Sequence, residues 1–181
     1  MNKRVRWITE TAVMLALLVS LQALTKPMGQ LVTGSCVNAV LAVSALIGGL
    51  GCGLTVAVVS PVLAFLLGIA AQPLTVPAIM AGNIVYVALL SVIIGRNRNS
   101  LTRQVTAWLV SAAAKFATLY GVVAGLICGV LADALMAAGT LKAPMLKALP
   151  ITFGWPQLIT GLIGGAVALL LLPLLRRALR K

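Results

Sequence analysis

The sequence predicts an all-α integral membrane protein of six transmembrane helices with both termini cytoplasmic, a single domain over residues 1–181. Three observations carry this. First, 61% of the 181 residues are hydrophobic and 9% are charged, and no soluble domain buries that much apolar surface, so lipid must act as the solvent. Second, a spanning helix needs about 20 apolar residues, which leaves room for about six spans with short loops. Third, the basic residues are not spread along a face but gathered into separated clusters, the pattern that marks membrane sidedness.

The first span covers residues 7–24 and follows a basic start of Lys3, Arg4 and Arg6. A signal peptide begins in the same way, but no small-x-small cleavage site follows, and the next segments are equally apolar. The stretch TKPMGQ closes the span with Pro27 and Gly29. From Leu31 to Ala70 the chain carries no charge. As a single helix this stretch would be about 60 Å long, twice the hydrocarbon thickness. It must therefore turn, and GGLGCG at Gly48–Gly53 is the place, giving spans over 31–47 and 53–69. After the AAQPLTVP loop the fourth span covers 78–94. The polar loop RNRNSLTR leads to the fifth over 106–132, and a longer loop with room for short helices separates this from the sixth, over 152–172.

Six spans put both termini on one side, and the charges agree. Ten of the fourteen Lys and Arg residues fall in the N-terminal segment, the Arg96–Arg103 loop and the RRALRK tail. Only Lys26, Lys142 and Lys147 fall on the other side, while Lys115 lies within a span. The positive-inside bias then makes the termini and central loop cytoplasmic. A net charge of +12 thus reports topology and not a nucleic-acid partner. Trp7 and Trp108 fall near the inner interface and Trp155 near the outer one, where amphipathic rings collect.

The catalytic inventory is nearly empty. There is no histidine, Glu10 and Asp133 are the two acids, and the chain carries no GxxxxGK[ST], HExxH or GxSxG motif. The two acids fall near opposite membrane faces, so paired-carboxylate chemistry is not served. Cys36, Cys52 and Cys128 lie far apart and form no CxxC, which points to packing residues, not to a disulfide framework or a metal site. The reading is of a protein that is not an enzyme and needs no cofactor or metal.

Polar residues gather instead on the outer side. Lys26, Gln30, Thr33, Ser35 and Asn38 flank the start of helix two, Gln72 and Thr75 occupy the second outer loop, and Asn83 and Tyr86 enter helix four. Thr152, Trp155 and Gln157 stand at the start of helix six. Polar and aromatic side chains converging on apolar walls describe a small-molecule site, and amides suit a heterocyclic or amide-bearing nutrient because they both donate and accept. Asn83 and Gln157 carry the most weight, since an amide within a span is costly unless paired.

Lys115 interrupts an apolar run bounded by Arg103 and Asp133. With helix five starting near Gln104 it lies about 16 Å in, close to the bilayer centre. Asp133, about 27 Å further along, is out of reach. Three compensations remain open: an ion pair with Glu10, reached if helix five starts later or the lysine stem stretches down; a ligand or water-filled cavity, with a substrate carrying an anionic or acceptor group; or backbone carbonyls around a lysine that stays neutral.

Small residues recur at intervals of four: Ala12, Ala16 and Ser20 on helix one, Gly121, Gly125 and Gly129 on helix five, Gly161 and Gly165 on helix six. Such faces let helices approach closely. With about 180 residues in six spans, an AxxxA face on helix one, a glycine-rich hinge between helices two and three, and Gly164–Gly165 in the last helix, the chain resembles the substrate-binding S components of energy-coupling factor (ECF) transporters. The resemblance covers the whole chain in organisation.

It implies a subunit in a bacterial cytoplasmic (inner) membrane that captures a vitamin or related micronutrient near the outer face. The subunit would dock through Ala12, Ala16 and Ser20 onto a membrane T component joined to two cytoplasmic ATPase subunits. The substrate-binding candidates are Gln30, Asn38, Gln72, Asn83, Tyr86, Lys115, Trp155 and Gln157. A self-contained small-solute carrier or an oligomeric channel is the competing expectation.

Overall fold

A computed structural model describes residues 2–69, 72–95 and 100–179. Helix α1 spans Lys3–Thr25 and is capped by Asn2, whose Oδ1 accepts from the Arg4 amide at 3.2 Å. A short 3-10 turn at Lys26–Met28 holds Pro27, and Gly29 reverses the chain with φ 91°. Helix α2 spans Gln30–Ile47 and α3 Gly49–Leu66. After a second 3-10 turn at Pro73–Thr75 comes α4, Val76–Ile94. Helix α5 spans Leu101–Tyr120 and runs on as a π-helix over Gly121–Val130. Two short helices, α6 (Ala132–Ala137) and α7 (Ala143–Thr152), precede α8, Trp155–Leu179. Among the described residues there is no strand, and six helical stretches are long and apolar enough to cross a membrane.

The expected spans are met with shifted ends. The hinge between α2 and α3 is tighter than GGLGCG suggests: the chain turns at Gly48–Gly49, with Gly49 at φ 83°, and Gly51 and Gly53 already belong to α3. A Cβ on Gly53 would lie 2.7 Å from Val87 Cγ1 and 3.0 Å from Ala45 Cα. That glycine therefore serves the close approach of α2, α3 and α4. The fifth span starts five residues earlier than predicted, at Leu101, with Ser100 accepting from the Arg103 amide as its N-cap. The 133–150 loop is largely helical. Arg96 and Arg98 of the basic central loop, and Arg180 and Lys181 of the tail, lie outside the described residues.

Helix α2 is the centre of the bundle. It packs on α8, α3, α1 and α4, and Asn38 and all of Val40–Leu46 are buried, as expected of a helix apolar on every side. Lipid tails are as apolar as leucine, so burying such a helix is driven by close packing more than by exclusion of water. The glycines of α8 supply that packing. A Cβ on Gly164 would strike Ser35 O and Asn38 Cβ of α2, one on Gly165 would strike the Trp108 indole of α5, and Gly161 lies against Ala112 of α5. Trp108 accordingly turns inward, its Nε1 donating to Leu162 O at 2.8 Å, and is not the lipid-facing belt residue that its position in the sequence predicts. The glycines of the π-helix differ: a Cβ on Gly121 or Gly125 would meet nothing within 4 Å.

The last turns of α1 and α5 and the segment after α3 meet the first turns of α2, α4 and α8, so the six long helices alternate in direction and the start of α1 and the end of α8 lie toward the opposite end of the bundle. A main core holds Leu18, Leu41, Val56, Leu90 and Leu172. A second cluster, with Leu119, Val123, Leu149 and Phe153, ties the π-helix and α7 to α4 at the opposite end. Between the two clusters the packing opens.

Candidate functional site

A cavity of about 450 Å³ lies between the two clusters, at the end of the bundle away from the chain termini. Its size falls within the range of small-molecule sites. The ends of α1, α3 and α5 and the beginnings of α2, α4 and α8 meet there, and α7 closes one side through Met145, Leu149 and Thr152.

The floor is polar and built from four helices. Lys115 of α5 is 3% exposed, and its Nζ donates to Asn38 Oδ1 of α2 at 2.5 Å and to Asn83 Oδ1 of α4 at 2.7 Å. An ammonium has only donors, so both amides must present their oxygens to it and turn their NH2 groups elsewhere. Asn38 Nδ2 donates to Thr160 Oγ1 of α8 at 3.2 Å, and Thr160 in turn donates to Gln157 O. Asn83 Nδ2 donates to Ala57 O of α3 at 3.4 Å.

That carbonyl is free for a local reason. Pro61 lies inside α3 and has no N–H for the carbonyl four residues back, so the helix leaves Ala57 O to an outside donor. Beneath the ammonium lies the Tyr86 ring, 5.4 Å from Nζ to its centroid, a cation–π contact of about 0.5–2 kcal/mol. The lysine is thus held by two neutral oxygens and an aromatic face. Among the described residues no carboxylate compensates it, although an uncompensated charge at this depth costs at least about 3 kcal/mol.

The Glu10–Lys115 ion pair is not formed. Glu10 bonds Arg6 one turn back on α1, Nε to Oε1 at 2.7 Å. Helix α1 packs on α2 and α3, whereas α5 packs on α4 and α8. Because α5 begins at Leu101, Lys115 lies about 21 Å along it, against about 10 Å for Glu10 along α1. Asp133 is exposed and makes no ion pair with Lys115.

Of the eight residues expected around a ligand, the cavity brings together Gln30, Asn38, Gln72, Asn83, Lys115 and Gln157. Two are not in its lining. Tyr86 is fully buried below the floor. Trp155 is 71% exposed and stacks on Phe116 at 5.7 Å, with Phe116 stacked in turn on Tyr120. A tryptophan one residue before Pro156 opens α8 on its outward side, two residues away from the face that carries Gln157.

The cavity and its floor also include Gln22 and Thr160, which the sequence reading passed over, and Lys26, which it placed among the outer polar residues. Gln22, whose Oε1 is buried without a partner, precedes Lys26 by one helical turn, and the pairing of an amide and a lysine at that spacing is the signal that could have marked it. Lys26 Nζ closes the rim, donating to Gly68 O at 2.7 Å. Thr160 offered no signal, since a lone threonine in an apolar helix normally bonds its own backbone. Of the α7 residues, Thr152 was read as the start of helix six, and Met145, Ala148 and Leu149 lay in the segment read as a loop with room for short helices.

No protein-family model, curated protein or solved structure matches the chain. What the fold defines is a six-span, all-helical membrane protein with a polar-floored cavity at one end. Among the described residues no group of His, Cys, Asp or Glu could hold a metal ion.

Proposed function

We propose that this protein is the substrate-binding membrane subunit of an ECF-type importer, capturing a small micronutrient in the α1–α8 cavity. The observation that carries the reading is the cavity itself: a buried lysine and two asparagines, drawn from three helices, set in the floor of a space sized for a small molecule. Polar groups inside a membrane are expensive and mark ligand or ion sites by default. The clustering of basic residues at the ends of the chain supports a cytoplasmic position for both termini, and hence an outward-facing cavity in a bacterial inner membrane.

Docking onto a T component and two ATPases supplies the energy that a chain without a nucleotide-binding motif lacks. Ala12, Ala16 and Ser20 are exposed on α1, so that face is available to a partner helix. The test is copurification and transport measured together. The tagged chain should bring down ATPase subunits from its own host, and Ala12→Leu with Ala16→Leu should abolish uptake while ligand binding survives. Uptake by liposomes containing the chain alone would overturn the reading in favour of a self-contained carrier.

A further inference from the structure

Resting on the reading of the cavity as a ligand site, the geometry of its floor specifies the charge of the occupant. Lys115 has three N–H groups. Two go to Asn38 and Asn83, and the third has no acceptor among the described residues. Gln157 is 93% buried by its 7% exposure and lines the same cavity, and among the described residues its side-chain amide has no hydrogen-bond partner. The two groups stand at one level: Gly161 of α8 packs against Ala112 of α5, and one turn further along these antiparallel helices bring Gln157 level with the Lys115 region. A cation with an unused N–H and a free side-chain amide, both nine-tenths buried and lining one cavity, are a donor set that suits two oxygens on one carbon.

We infer that the cavity takes an amphipathic monocarboxylate, one oxygen on Lys115 Nζ and the other on the Gln157 amide, with its apolar body against Ile79, Leu119 and Phe153. The charge count selects the carboxylate over a phosphate. The floor holds one positive charge, so one negative charge balances it, whereas a phosphate monoester carries about two and would leave an excess in a low-dielectric site. The second cation, Lys26, is exposed at the rim and already donates to Gly68 O; its place there is to draw an anion to the opening. At the same end Gln22 Oε1 is a buried acceptor with no donor among the described residues, which an N–H at the far end of the ligand would satisfy. The occupant is a carboxylic acid at one end, apolar in the middle and amide-like at the other.

Three matched probes test this on the full chain in nanodiscs: acetamido-octanoate, its neutral carboxamide, and acetamido-octyl phosphate. Affinities are read by the shift of thermal unfolding with probe concentration. The acid is expected to bind at least about tenfold more tightly than either of the others, a charge-assisted hydrogen bond being worth that much or more. Lys115→Met, checked for helical content and monodispersity, should remove the preference. Should that variant fail to fold, Gln157→Leu serves, with about a tenfold loss for the acid and little change for the carboxamide. Equal binding of acid and carboxamide, or preference for the phosphate, would overturn the inference while leaving the cavity a ligand site. No shift with any probe would remove the ligand-site reading itself.

Discussion

Replacing Gly164 by alanine tests the link between helix packing and the cavity floor. The added Cβ would lie 2.5 Å from Ser35 O, 2.6 Å from Asn38 Cβ and 2.7 Å from Ala39 N. Ordinary contact begins near 3.5 Å, so α2 and α8 must part by about 1 Å. Two of the three obstructing atoms are backbone, and no rotamer change relieves them. Overpacking of this kind costs about 1–3 kcal/mol. The parting also stretches the Asn38 Nδ2 to Thr160 Oγ1 bond, already at 3.2 Å, beyond useful length, which adds about 1 kcal/mol. The expected loss is therefore about 2–4 kcal/mol, together with a loosened Lys115 floor. Equilibrium unfolding of the purified chain in mixed micelles measures it, with Gly125→Ala as control, since a Cβ there meets nothing within 4 Å and should change stability by no more than about 0.5 kcal/mol. If Gly164→Ala unfolds within about 0.5 kcal/mol of that control, the close α2–α8 approach is refuted.

Asn38→Ala and Asn83→Ala each take an acceptor from the buried ammonium and should each destabilise the ligand-free chain by about 1–3 kcal/mol; the same unfolding assay checks this, and two neutral results would mean that Lys115 is held by something else. Glu10→Gln breaks only an exposed pair with Arg6, whose side chains are 25% and 60% exposed, so a loss above about 1 kcal/mol would contradict the separation of Glu10 from Lys115. Trp155→Ala removes a ring stacked outside the cavity, and ligand affinity measured by thermal shift should stay within about twofold of wild type; a tenfold loss would put Trp155 at the ligand.

Most of the membrane organisation was legible in the residues. The forty uncharged residues ending at Ala70 had to fold back on themselves, and Gly48–Gly49 is where they do. The candidate amides Asn83 and Gln157 and the lysine on helix five stood out because each is expensive in lipid and demands an explanation. Less legible was the direction each side chain takes. Tyr86 lies one turn from Asn83, yet it sits beneath the lysine and not in the cavity. Trp155 is two residues from Gln157, and that displacement is enough to turn it to the outside. The role of Gly161 and Gly165 was open between internal packing and an external face, and only the positions of Ala112 and Trp108 decide it.

The sequence by itself determined the number of apolar spans and singled out the amides and the lysine that such spans must account for. Composition, length and charge act locally along the chain, and the bilayer imposes the same thickness on every helix. Tertiary structure alone decided who meets whom. Lys115 takes its oxygens from residues 77 and 32 positions away, and the anchor of Asn83 depends on a carbonyl that Pro61 leaves free on another helix. Glu10, the acid that a later start of helix five or a stretched lysine stem would have brought within reach, lies on a helix with different neighbours. No periodicity records such pairings, because helix rotation and contact are set by the joint packing of side chains from several spans, and a single glycine such as Gly164 sets how close two of them come.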